Sequence, residues 1–168
     1  MREREKQDQT NQLQIREALP DDITRIVEIY NSNPAFLRQH LGKEQVDAYF
    51  IEKEQADMQS LGFRSCVIEE EGELIGVLDY KDEEGVYLSL MMLDAKRQGE
   101  GSGSRCYMLF ESLMKTQGRN RIRIDVVCNE PENALPFWQK QKFTEIGKTE
   151  LEWGEKHLKA VVMQKKFD

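Results

Sequence analysis

A chain of 168 residues has the length of one domain and can bury about 70% of the surface its unfolded form exposes, with no need of a disulfide or metal staple. Its formal charge of −7 opposes general binding to nucleic acid, whose phosphates require a basic field, and attracts cations instead. The three cysteines, Cys66, Cys106 and Cys128, form no CxxC pair and sit inside apolar patterns, which argues against a metal or dithiol site and for buried thiols in a reducing compartment.

Residues 1–12, MREREKQDQTNQ, hold one aliphatic side chain and read as a polar, disordered tail ahead of a single domain at 13–168. That terminus lacks the apolar core of an export signal, and no apolar run approaches the roughly 18 residues a membrane span requires. A cytoplasmic protein is therefore expected. LQIREAL alternates as a strand, and Pro20-Asp21-Asp22 turns it into a helix at Ile23 to Tyr30. A second helical region from about Pro34 to Leu61 is broken at Gly42 and carries Val46, Tyr49, Phe50 and Met58 as its apolar stripe. From Phe63 the period drops to two, so FRSCVIEE, ELIGVLDY and GVYLSLMML form three successive antiparallel strands. The segment Gly103 to Gln117 returns to helical spacing with Cys106, Leu109, Phe110, Leu113 and Met114 on one face, and Gly118 closes it. RIRIDVV follows as a strand parallel to the one before that helix, by the right-handed crossover rule. ENALPFWQKQ is a short helix, and FTEIGKTELEW with KHLKAVVMQKKF makes a terminal hairpin around Gly154-Glu155. The order describes an α/β (α+β) fold on a mixed sheet.

Between the third antiparallel strand and the following helix stands QGEGSGS, residues Gln98 to Ser104. Gly99, Gly101 and Gly103 permit positive φ and turn amides outward, and the helix adds its positive end, so the junction suits a diphosphate. A P-loop is excluded because no Lys-Ser or Lys-Thr follows the last glycine. A nucleophile elbow fails because Glu100 and Ser104 stand where it needs glycines around Ser102. A dinucleotide fingerprint fails because Ser104 occupies its third glycine position, and too little chain remains for a full dinucleotide fold.

MMLDAKRQGEGSG resembles the signature of the GCN5-related N-acetyltransferases, in which a strand ends in an apolar triplet and runs into Gln/Arg-x-x-Gly-x-Gly/Ala. Further on, Asn129 or Asn133, Ala134, Phe137, Trp138, Lys142 and Phe143 resemble that family's asparagine and Ala-x-x-Phe-Tyr-x-x-x-Gly-Phe segment. The resemblance covers nearly everything from Leu13 onward. It implies the family's fold, a mixed, mostly antiparallel sheet of six to seven strands flanked by about four helices.

It also implies acetyl-CoA as co-substrate and direct transfer to a primary amine of a small molecule or peptide in a ternary complex. The diphosphate then rests on Gln98, Gly99, Glu100, Gly101, Ser102, Gly103 and Ser104, helped by Lys96, Arg97 and Arg105. The pantetheine arm takes the main chain of Met91, Met92 and Leu93, the Met91 amide doubles as oxyanion donor, and Asn133 touches the cofactor. Asp125 is the candidate base, because IDV resembles a Leu-Glu-Val segment that carries one in relatives acetylating protein amino termini. The family's acidic tyrosine is replaced by Trp138, whose indole N–H has no useful acidity, leaving Tyr80, Tyr87, Cys128 or water to protonate the thiolate. A non-catalytic acetyl-CoA sensor or partner subunit is the competing reading. Homodimers, frequent in the family, are an implied option; no nucleic acid, membrane or metal is expected.

Overall fold

The segments with a period of two form one seven-stranded sheet in the computed structural model, which describes residues 12–153 and 155–167. The expected tail lies outside the described residues apart from Gln12, as does Gly154 of the expected terminal turn. The strands are β1 (Leu13–Glu17), β2 (Arg64–Glu70), β3 (Glu73–Asp82), β4 (Val86–Leu93), β5 (Arg121–Val127), β6 (Thr144–Trp153) and β7 (Lys156–Lys166), in the spatial order β1-β2-β3-β4-β5-β7-β6. All neighbours are antiparallel except β4 and β5, which run parallel and are joined by the helical crossover, as expected.

Helices cover both faces of the sheet. Ile23, Ile26 and Ile29 form the buried stripe of α1 (Ile23–Asn31), which with α2 (Ala48–Ser60) covers Val67, Val77, Leu90 and Met92 on one face. Asp47 starts α2 by accepting from the Phe50 amide at 2.8 Å. Between these helices, Pro34–Phe36 and the π turn Leu37–Leu41 end at Gly42, whose left-handed φ of 65° is the expected break. Tyr49 does not belong to the buried stripe of α2: it is 73% exposed, and Ile51 is the residue that packs beneath.

The opposite face carries α3 (Ser102–Thr116) and α4 (Leu135–Lys140), over Cys66, Ile68, Leu78, Leu88, Ile122 and Ile124. α3 is turned slightly from the face its aliphatic residues suggest, with Leu109 and Leu113 half-buried and Tyr107 and Glu111 fully inside. Glu111 tolerates burial because Lys165 and Lys115 neutralise it and the Tyr107 hydroxyl donates to it at 3.0 Å. The three cysteines are unbridged, but Cys128 is only half-buried, correcting the expectation of three buried thiols.

One irregularity positions the site. Asp79 pairs with Leu90 while Tyr80 pairs with Leu88, leaving Ser89 as an extra residue on β4. The bulge reverses the parity of the strand: Leu88 joins the core under α3, whereas Leu90 joins the core under α1. Beyond it β4 and β5 part, because their pairing is confined to Val86 with Ile122 and Tyr87 with Arg123.

Candidate active site

The cleft between β4 and β5 opens to both faces of the sheet. On the α1 and α2 face lies a cavity of about 320 Å³, walled by Tyr30, Phe36, Phe63, Tyr87 and Trp153. On the α3 and α4 face lies one of about 250 Å³, lined by Met91, Ile124, Asn133, Ala134 and Trp138. Both include Phe36, His40, Ser89, Leu90 and Asp125, so they adjoin across the parted strands.

Of the three residues expected to meet the pantetheine arm, Met91 lines the smaller cavity, whereas Met92 and Leu93 do not. Asp94 donates its amide to Ile75 at 2.8 Å, and antiparallel alternation then directs the Met91 and Leu93 peptide groups away from β3, toward the side β5 has vacated. Leu93 carbonyl oxygen accepts there from Asn33 Nδ2 at 2.9 Å and Gln98 Nε2 at 3.2 Å. The Met92 side chain packs under α1, and by the same alternation its peptide groups turn toward Val77 of β3, so against expectation Met92 presents neither side chain nor main-chain groups to that side.

Gly99, Glu100 and Gly101 all adopt left-handed φ, of 91°, 53° and 78°. An added Cβ at Gly99 or Gly101 would meet nothing within 4 Å, so dihedral angle alone selects glycine there. Gly103 is different from expectation. It lies in α3, and a Cβ would come 3.1 Å from Phe137 Cε2, so its smallness admits α4 against α3. Glu100, exposed, supplies the third left-handed residue instead.

The Ser102 amide is spent on Gly99 oxygen at 3.1 Å and that of Arg105 on Gly101 oxygen at 3.0 Å. Among the described residues, the amides of Gly103 and Ser104 have no partner, and they sit at the positive end of a 15-residue helix. Such a cradle fits a diphosphate. The expected cationic support is already engaged: Arg97 pairs with Glu73 at 2.6 Å, and Arg105 with Glu70 at 3.4 Å. Lys96 is exposed.

Asp125 reaches the passage, yet its oxygens have partners. Tyr87 hydroxyl donates to Oδ2 at 3.0 Å, and Arg123 Nε and Nη2 donate to Oδ1 and Oδ2 at 3.1 and 3.2 Å. Burial, and after it the nearby Asp125 carboxylate, raises the Tyr87 phenol above its ordinary range. Tyr80, another expected proton donor, packs against Phe110 on the α3 side, and Cys128 points at the Lys159 carbonyl.

Asn133 lines the smaller cavity, but its side chain caps α4, accepting from the Leu135 amide at 3.0 Å and donating to Glu130 oxygen at 3.1 Å. Asn129 instead accepts from the Lys159 amide. Trp138 is 8% exposed, packed edge-on against Tyr107, Phe137 and Phe143, and serves the core. Lys142 ends α4 with φ 74°, the left-handed position that a glycine takes without strain. Lys142→Gly is expected to raise stability by about 0.5–1 kcal/mol in urea melts.

Asp79 is the functional group that sequence reasoning missed. It belongs to the same face as Val77, inside the larger cavity, where burial raises its carboxyl from 3.8 to about 7. Tyr30 from α1 and Glu54 from α2 lie close by, and burial, followed by the Asp79 and Glu54 carboxylates, lifts the Tyr30 phenol well above its usual value. His40, stacked on Phe36 at 4.1 Å and edge-on to Trp153, stands between the cavities; burial, joined by nearby Lys156, holds its imidazole below the ordinary value.

A sheet parted between parallel strands, with an anion cradle at the mouth of the crossover helix, defines the class of fold to which comparison with known proteins assigns the chain. The family described as acetyltransferase (GNAT) domain matches residues 28–167, and the chain belongs to that family. An acetyltransferase from Thermus thermophilus superposes with a TM-score of 0.76 at 20% identity, covering 94% of this chain and 99% of its own. A Salmonella typhimurium acetyltransferase that modifies the N-terminal serine of ribosomal protein L7/L12 gives 0.76 at 18% identity, covering 93% and 95%. A putative acetyltransferase from Salmonella typhimurium, solved with its cofactor acetyl-CoA, gives 0.63 at 20% identity, covering 94% and 95%. No curated protein matches the chain significantly.

Proposed function

We propose that this protein transfers an acetyl group from acetyl-CoA to a primary amine by direct attack in a ternary complex. The observation that carries this reading is the passage between β4 and β5, which brings one cavity from each face of the sheet to the same residues. The open amides of Gly103 and Ser104 suit the diphosphate, with Gly99 and Gly101 shaping the loop, and the Met91 peptide groups, turned away from β3, suit the pantetheine arm. When bound, acetyl-CoA supplies an activated thioester. The Met91 amide, turned into the cleft, is assigned to the developing oxyanion. Asp125 faces the passage, and Asp79 lines the larger cavity one strand away; these carboxylates are assigned as candidates to take a proton from the acceptor.

Acetyl-CoA at 100 times its dissociation constant is expected to stabilise the protein by about 2.7 kcal/mol, a rise of roughly 5–10 °C in Tm, while NAD gives none. Thiol release from acetyl-CoA should then depend on an added primary amine. A shift with NAD but not acetyl-CoA would remove the cradle assignment. Binding of acetyl-CoA with no release for any amine would favour the sensor reading, to which Trp138 in place of a phenol lends support.

A further inference from the structure

The larger cavity has a composition that the transfer reaction alone does not require. Glu54, Asp79, Asp125 and Glu152 face it, and its lining contains neither lysine nor arginine. Of these carboxylates Asp125 is neutralised by Arg123, whereas Glu54 and Asp79 have no ion-pair partner among the described residues. Five aromatic rings of phenylalanine, tyrosine and tryptophan and the aliphatic side chains of Ile26, Ile51 and Met58 form much of the remaining wall. Ser65 adds a hydroxyl to the same wall. It is 8% exposed and lines the cavity, and its hydroxyl is the buried side-chain polar atom among the described residues left without a hydrogen bond. It approaches Asp79, its cross-strand partner, closely enough to ease that charge without making a well-formed bond to it.

Resting on the acetyl-transfer reading, we infer that this cavity binds a small aliphatic diamine, with Glu54 holding the distal ammonium and Asp79 accepting the proton of the attacking one. Carboxylates and aromatic faces attract ammonium groups, and the aliphatic wall suits a short methylene chain. The volume of about 320 Å³ lies at the small end of ligand pockets and accommodates such a molecule entirely. Asp79 pairs with Leu90, next to the Ser89 bulge, so it stands one strand away from the passage, within reach of the nitrogen directly or through one water. Asp125 suits this task less, since Tyr87 and Arg123 already donate to both its oxygens.

In the balanced step the attacking R–NH3+ gives one proton to Asp79, and the resulting R–NH2 forms the C–N bond with the acetyl carbon as the thioester C–S bond breaks. The second nitrogen proton ends on the departing thiolate sulfur, and Asp79 returns its own to water. The titratable groups facing Asp79 are Tyr30 on α1, Glu54 on α2, Cys66 on β2, Tyr87 on β4, Asp125 on β5, Glu152 on β6 and His40 on the π turn. Burial raises Tyr30, Cys66 and Tyr87 above their ordinary values, and His40 is held below its own.

The test uses the full chain, 1,4-diaminobutane, 1-aminobutane and a serine-initiated tripeptide. Wild type should show kcat/KM at least about 10-fold higher for the diamine than for either other amine. Asp79→Asn should lower kcat about 100-fold and abolish the fall in rate below pH 7, while acetyl-CoA affinity stays unchanged. Glu54→Gln should raise KM for the diamine about 10-fold and leave that for 1-aminobutane unaltered. Equal use of the three amines, preference for the tripeptide, or loss of the acidic limb in Asp125→Asn instead of Asp79→Asn would overturn the inference. Calorimetry of 1,4-diaminobutane with the CoA-saturated protein separates it from the transfer reading: Glu54-dependent 1:1 binding without turnover supports the pocket and sinks the transfer. Turnover of peptides without diamine binding does the reverse.

Discussion

Gly101→Asp is expected to lower acetyl-CoA affinity at least 100-fold while leaving the fold intact. The backbone at Gly101 is left-handed, with φ 78°, and an added Cβ would meet no atom within 4 Å. The substitution therefore creates no clash, and its strain of about 1–2 kcal/mol is partly offset by placing a carboxylate at the positive end of α3. That same carboxylate stands where the open Gly103 and Ser104 amides would receive a diphosphate, so it repels the ligand and competes for its donors. Gly101→Ala carries the strain without the charge and should cost affinity less than about 10-fold. Titration of the two variants with acetyl-CoA, alongside their melting temperatures, reads both effects. An aspartate variant that binds acetyl-CoA as tightly as wild type would show that the diphosphate lies elsewhere.

The succession of strands was legible because each strand keeps a period of two, and the three central ones are joined by turns that announce themselves: Glu71-Gly72 and Glu84-Gly85 both hold positive φ. The parallel pairing of β4 with β5 was expected from the helical crossover that joins them. What stayed hidden is the interruption inside a strand. GVYLSLMML is apolar on both sides of Ser89, so a reversal of parity leaves no trace in its pattern, although that reversal separates Leu88 from Leu90 and opens the passage. The glycine loop was recognisable for a similar local reason, yet Glu100 and Gly103 exchange the roles their side chains suggest. A dihedral angle can be occupied against preference, and a small residue can be chosen by a neighbour distant in sequence, such as Phe137.

Burial of charge was the other blind spot. Glu111 lies outside the apolar face of Cys106, Leu109, Phe110, Leu113 and Met114, and its burial depends on Lys165 from a distant strand and Tyr107 from the adjoining turn of the helix. Asp79, in ELIGVLDY, is the polar residue near the end of an apolar strand, and its place in the wall of the larger cavity depends on how α1 and α2 lie over that end. Asp125 was found through resemblance. Its ties to Tyr87 and Arg123, which decide what it can do, depend on the β4 to β5 contact and on a neighbour two residues away on the same face.

Asp79→Asn is expected to stabilise the fold as the pH rises, in opposition to its effect on turnover. The carboxyl is raised by burial from 3.8 in the unfolded chain to about 7 in the folded one. Below about pH 4 both states carry the proton and the residue is neutral to stability. Between about pH 4 and 7 the unfolded chain has lost a proton that the folded one retains, so more protons are bound in the native state and stability falls with pH. Above 7 both are ionised and the full penalty stands, at most on the order of 4 kcal/mol for a shift of about three units. Asparagine has the same shape and no charge to desolvate. The difference in unfolding free energy between Asp79→Asn and wild type should therefore grow from near zero at pH 4 toward its limit at pH 8, measured by urea melts at each pH. A constant difference across this range would mean that Asp79 is ionised in the fold at neutral pH without strain, removing the physical basis for a base poised near 7. A growing difference joined to lost turnover would mark the residue as one kept against stability for what it does in the cavity.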